Sequence, residues 1–130
     1  MCAKRVFKTK TFDRWAKKIL SDQALCTAAR EIEQGIFEAD LGKGVCKKRI
    51  PIPGQGKSGS VRTLVAKKSK DAIIFLTGRE KSDSGKDFSE NEEEAAKILA
   101  GSFEKADAKK LDEMGADGTL KEICREQEND

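Results

Sequence analysis

The chain has no histidine and no tyrosine, only two prolines, and aromatic residues make up 5% of it. Its four cysteines, at positions 2, 26, 46 and 124, form no CxxC pair. Without histidine or paired thiols the usual ligand set for zinc is missing, so neither a metal nor another cofactor is expected. The cysteines read as reduced thiols of a cytoplasmic protein. No apolar run approaches the ~18 residues that a membrane span needs. The N-terminal stretch "MCAKRVFKTKTF" carries charge but no apolar core, so no secretion signal and no membrane partner are expected.

What the chain does have is charge, unevenly spread. Of its 130 residues, 38% are charged and 37% hydrophobic, which suits one small α+β domain with a modest core. Residues 1–88 hold 20 Lys+Arg against 10 Asp+Glu, a balance of +10, whereas residues 89–130 hold 6 against 13, a balance of −7. Within residues 41–70 there are nine basic side chains and no acid. A solvated surface normally intersperses its signs. A run this one-sided repels itself unless a polyanion neutralises it, and nucleic acid is the polyanion expected.

Periodicity supplies the elements. Val6 and Phe7 suggest a short first strand. Phe12, Trp15, Ala16 and Ile19 form one helical stripe, with Lys10, Arg14 and Lys17 mostly away from it. Ser21 is placed to cap a second helix carrying Leu25, Ala28, Ala29 and Ile32 inward and stopping at Gly35, so the two should form a helical hairpin. From Val45 the period changes to two. The segments from Val45 to Ile52, "SVRTLVAKK" and "DAIIFLTGRE" read as an antiparallel meander whose last strand, apolar on both faces, is central. Ser82 to Lys86 reads as a polar loop. Ser89 and Glu92 match a capping box opening a helix with Ala95, Ile98, Leu99 and Phe103 as its stripe. Asp107 should cap a short helix ended by Gly115, with Leu120 and Ile123 in a last weak turn.

The loop "PGQGKSG" ends like a phosphate-binding loop. That motif needs a first glycine where Pro51 stands, and a helix afterwards, whereas Val61 to Val65 look like strand. A hairpin with Lys57 at its tip is the better account. Lys47 and Arg49 share a face of one strand. Arg62 lies just past the loop on the next, and Arg79 and Lys81 end the third. Paired as a meander, these five side chains should converge on one patch, more than strand-edge lysines that block aggregation would need. Lys43, Lys48 and Lys57, with Lys10, Arg14 and Lys17 of the first helix, are candidates for a wider nucleic-acid-binding surface, RNA on the resemblance described next.

The phrases "RVFKTKTFDRWAKK", "KKRIPIPGQGKSGSVRTLVA" and "FLTGREKS", in the order strand, two helices, three antiparallel strands, helix, resemble the RelE/ParE superfamily of bacterial toxins, in its RelE/HigB-type branch with phage-derived members. The similarity covers about residues 4 to 125. It implies a RelE-like α+β fold: a short N-terminal strand, a helical hairpin, an antiparallel sheet of about four strands and C-terminal helices. Residues 1–130 would form one domain, with an acidic helical extension from about residue 89.

The resemblance also implies a toxin that enters the A site of the 70S ribosome and cuts mRNA, the 2′-hydroxyl attacking the adjacent phosphate and expelling the 5′-oxygen. A cognate antitoxin would be the protein partner. The two basic positions of the family's second strand correspond to Lys47 and Arg49, the arginine of the third to Arg62, and the basic position after the fourth to Arg79 or Lys81. Several RelE toxins transfer protons with a tyrosine or histidine, and this chain has neither. Arginine clamps phosphate but holds its proton, so Lys47 or Lys81 is left for proton transfer, with Arg49, Arg62 and Arg79 on the phosphate. Two alternatives stand beside this reading: a non-catalytic basic RNA- or DNA-binding module, and a ParE-like toxin of DNA gyrase. The acids after residue 88 could also shield the basic face, with a solvated, packed helix as the simpler account.

Overall fold

Each change of period in the sequence marks a change of element. The computed structural model describes residues 4–52, 59–80 and 87–124. The described elements run β1 (Arg5–Thr9), α1 (Lys10–Ala16), α2 (Asp22–Glu33), β2 (Ala39–Gly42), β3 (Val45–Pro51), β4 (Ser60–Ala66), β5 (Ala72–Glu80), α3 (Glu90–Glu104), α4 (Ala108–Asp117) and β6 (Leu120–Ile123). The three expected caps form. Ser21 Oγ accepts from the Ala24 N–H, Ser89 Oγ from Glu92 and Asp107 Oδ1 from Lys110, each relieving one orphan donor of a first turn. The capping box at Ser89 is complete, because Glu92 accepts in return from the Ser89 N–H at 2.8 Å.

The strands form one six-stranded sheet in the order β2-β3-β4-β5-β1-β6. β3, β4 and β5 make the expected antiparallel meander, and the Ile52 N–H donates to the Gly59 carbonyl where the β3–β4 hairpin leaves the sheet. The hairpin tip and the Ser82–Lys86 loop lie outside the described residues. The expectation of about four antiparallel strands is corrected. β1 runs parallel to β5, β2 adds an outer edge, and Leu120 to Ile123 form a strand against β1 rather than a turn. β5 lies inside the sheet, as its two apolar faces required.

Helices cover both faces, giving three layers and two apolar cores. On one face, α1 and α2 bury Phe12, Leu25 and Ile32 against Cys46, Ile50, Val65 and Phe75. On the other, α3 and α4 bury Phe103 and Leu111 against Val45, Leu64, Ile74 and Phe7. Each fully buried large side chain of this kind contributes ~1.5–3 kcal/mol. Two helix expectations are corrected. α3 turns Ala96, Ala100 and Phe103 inward, leaving Ile98 76% and Leu99 39% exposed and Ala95 outside. α4 runs through Gly115 and ends at Gly118, whose φ of 88° supplies the left-handed cap.

A one-residue irregularity sets which way the end of β5 faces. Leu64 pairs with Thr77 but Val65 pairs with Phe75, so Leu76 is an extra residue in β5. Strict alternation would put Arg79 on the face of Phe75, under α1. The bulge turns it to the α3 face instead and brings Gly78 under α1. A Cβ on Gly78 would lie 2.0 Å from Cζ3 of Trp15. Trp15 packs edge-on to Phe12, with centroids 5.4 Å apart, which limits where the indole can move. Gly78→Ala should therefore cost about 2–3 kcal/mol through overpacking. Urea unfolding measures this, and a midpoint equal to that of the parent would mean the indole has room to shift.

The expectation of reduced thiols is corrected for one pair. Cys26 of α2 and Cys124, just past β6, form a disulfide across 98 residues of sequence. Chain distance hides such a pair; only the sheet topology brings β6 beside α2. Cys46 remains a buried free thiol, its pKa pushed up to about 12 by burial.

Candidate functional site

The sheet register places a line of guanidinium groups across three strands. Arg49 pairs with Arg62, and Arg62 with Arg79, so one arginine from each of β3, β4 and β5 lies side by side on the α3 face. Neighbouring strands are ~4.8 Å apart, so the line spans about 10 Å between its outer backbones. Lys47, two residues before Arg49, points to the same face beside Leu64 and Thr77. Like charges directly opposite one another weaken a sheet. Three in succession oppose the pairing that creates them.

The first turn of α3 and the residues before it meet this line with carboxylates. Both oxygens of Glu92 accept from Arg79 Nη2 at 2.9 Å, and the Arg79 guanidinium sits 5.8 Å from the centre of the Phe88 ring. The Lys47 ammonium donates to Asp87 and lies 3.7 Å from Glu93. Arg62 is half-buried, and its Nη1 is buried without a hydrogen-bond partner. Arg49 is exposed; its backbone N–H donates to Glu38. The Ser89 N–H, outweighing partial burial, and then Arg79 hold the Glu92 carboxyl below its usual range. Partial burial raises that of Asp87, but Lys47 and the Phe88 N–H outweigh it and carry it below.

Four of the five cations expected to converge therefore share one face: Lys47, Arg49, Arg62 and Arg79. Lys81 and Lys57 lie outside the described residues. Lys48 is corrected. It shares the face of Cys46 and Ile50, is 4% exposed, pairs with Glu31 at 2.7 Å and donates to the Ile36 carbonyl. A side chain so buried and neutralised offers nothing to RNA. Lys43 forms the tip of the β2–β3 turn, at the far end of the sheet and about 20 Å of strand from Arg49. It does not join the arginine line. Lys10, Arg14 and Lys17 are exposed along α1, on the opposite face but at the same end of the sheet as Arg79, because Trp15 of α1 covers Gly78.

Sequence reasoning missed Asp87, Glu92 and Glu93. The capping box was the signal that could have found them. It fixes Glu92 at the third position of a helix that must start near the end of β5, where Arg79 stands. A separate cleft of about 520 Å³ between α1, α4 and β6 is lined by Arg5, Asp112 and Glu122 among others. Arg5 is held there by Glu122 at 2.8 Å and Asp112 at 2.7 Å, so its charge is already matched. Among the described residues no group of Cys, Asp and Glu could hold a metal ion, and no helix is long and apolar enough to cross a membrane.

Fold and site together define a three-layer α+β domain whose central sheet carries a line of cations, partly met by carboxylates, on one face. A family model described as "RelE toxin of RelE / RelB toxin-antitoxin system" matches residues 4–123. The chain belongs to this RelE toxin family. It is thus a toxin component for which the family implies a cognate antitoxin. A search of curated proteins finds no match.

Proposed function

We propose that this protein is a ribosome-dependent mRNA endoribonuclease of the RelE/HigB-type branch that inhibits translation in the cytoplasm. The observation that carries the reading is the Arg49–Arg62–Arg79 line with Lys47 beside it. A phosphodiester cut by its own 2′-hydroxyl gathers negative charge on the phosphate oxygens in the transition state. Guanidinium groups fixed on neighbouring strands meet that charge without having to reorganise. Lys47 is the proton-transfer group within the described residues, giving a proton to the departing 5′-oxygen. The attacking 2′-hydroxyl passes its proton to solvent water, and the ribosome holds the mRNA in position for attack. The exposed bases Lys10, Arg14 and Lys17, on the opposite face at the same end of the sheet, offer a second cationic patch to ribosomal RNA.

A second reading, a non-catalytic RNA-binding module, draws support from the absence of histidine and tyrosine. One experiment separates the two. A reporter mRNA is translated in vitro with the purified protein, then mapped by primer extension. New 5′ ends within the open reading frame, dependent on ribosomes, are expected. Arrested translation with intact mRNA would replace the nuclease by the binder. Intact mRNA together with gyrase cleavage complexes would point to the ParE-like alternative.

A further inference from the structure

We infer that the first turn of α3 and the residues just before it are a built-in competitor for the RNA phosphate, holding Arg79 and Lys47 in the free protein and releasing them when a strand binds. The inference rests on the RNA reading above and specifies how that site is regulated. Both oxygens of Glu92 accept from the single Nη2 of Arg79, a charge-assisted contact for which phosphate oxygens would compete. Asp87 and Glu93 meet Lys47 in the same way that a neighbouring phosphate would. Two of the four cations on this face are thus matched by carboxylates from one short segment. Arg62, between them, keeps a buried nitrogen without a partner.

Among the described residues, the acids responsible are not those that follow the first turn of α3. Glu104 reaches Lys68, Asp112 and Glu122 hold Arg5, and none of these touches the arginine line. The competing carboxylates are instead fixed to the helix that covers the sheet. The Glu92 carboxylate is tied to the helix N-cap, since the oxygen that accepts from Arg79 also accepts from the Ser89 N–H. Exchange therefore costs the protein the charged pair but not the helix cap. A single free phosphate meets two separate carboxylate contacts at once, whereas a strand of successive phosphates can replace both. A chain of phosphodiesters held in place, as on a ribosome, then gains entry where a stray nucleotide does not.

The measurement is fluorescence anisotropy with a labelled 2′-O-methyl oligoribonucleotide of about ten residues, which binds but cannot be cut. Glu92→Gln keeps the capping-box acceptor and removes the charge. It should bind about five-fold tighter than the parent, the factor that a part-exposed pair of ~1 kcal/mol would release. Glu93→Gln, which has no capping role, should bind about two-fold tighter. Glu94→Gln, whose carboxylate pairs with Lys97 on the outer side of α3, should bind as the parent does. Equal gains from Glu92→Gln and Glu94→Gln would reduce the effect to net charge and overturn the inference. So would a Glu92→Gln protein that binds no tighter while Arg62→Ala still weakens binding, an outcome that leaves the RNA reading intact. If Arg62→Ala weakens binding in neither the parent nor the Glu92→Gln background, the arginine line is not an RNA site and the functional reading itself falls.

Discussion

Arg62→Ala should lower cleavage of ribosome-bound mRNA by about 100-fold or more, the loss seen when one charge-stabilising donor is removed from a preorganised site. Arg62 is the middle member of the line, paired in register with Arg49 on one side and Arg79 on the other. No ion pair from the described residues holds it, and its Nη1 is buried without a partner. Arg62→Lys keeps the charge but loses the planar fork, so it should fall between parent and alanine. Stability separates a functional role from a structural one. Removing a cation from between two others relieves like-charge opposition, so Arg62→Ala should melt at or above the parent temperature. Cleavage within two-fold of the parent would show that the reaction happens elsewhere. A loss of activity that merely tracks a loss of folded protein would make Arg62 a structural residue.

The parts of this site that could be read ahead of the structure are those that depend on strand period alone. Lys47 and Arg49 alternate with Ile50 and Cys46, so their shared face follows once Val45–Pro51 is a strand. The same alternation already assigned Lys48 to the buried face with Cys46 and Ile50. The charge of Lys48 drew attention away from its position, and Glu31 provided the partner that makes such burial tolerable. Arg79 illustrates the opposite case. Its face depends on the extra residue at Leu76, and nothing in "IIFLTGRE" signals a bulge. The inner face of α3 was missed because hydrophobicity favours Ile98 and Leu99 over Ala96 and Ala100. Small residues let a helix approach a sheet closely, a property that transfer scales do not score. β6 offers only Leu120 and Ile123, spaced three apart as in a helix, and it is a strand because the edge of β1 takes it as a partner. Parallel pairing of β1 with β5, and the meeting of Cys26 with Cys124, are likewise products of topology rather than of any local pattern.

That last contact carries the largest stability effect expected. Closing a loop of about 100 residues in the unfolded chain is worth ~4–5 kcal/mol in the chain-entropy account, and loss of a native disulfide typically costs 2–5 kcal/mol. For a domain of this size the melting temperature should fall on the order of 10–15 °C when the bond is reduced. The bond anchors the end of β6, the edge strand beside β1, to α2 across the core. Cys26 and Cys124 are both nearly buried, so reduction should proceed slowly in the native state and quickly once urea is added. Thermal melts of one preparation with and without reductant isolate the bond from side-chain packing. A Cys26→Ala/Cys124→Ala protein should match the reduced parent to within the cost of the lost sulfurs. Thiol titration of the unreduced, denatured chain should find no more than two of its four cysteines reactive. Four reactive thiols would mean that the bond does not form in the isolated protein. In a reducing cytoplasm the dithiol is the expected form. On the proposed reading, a ribonuclease acting in the cytoplasm, the protein folds without its staple, on the two cores alone, and the reduced form should still cleave mRNA at 25 °C while losing that activity at a lower temperature than the oxidised form.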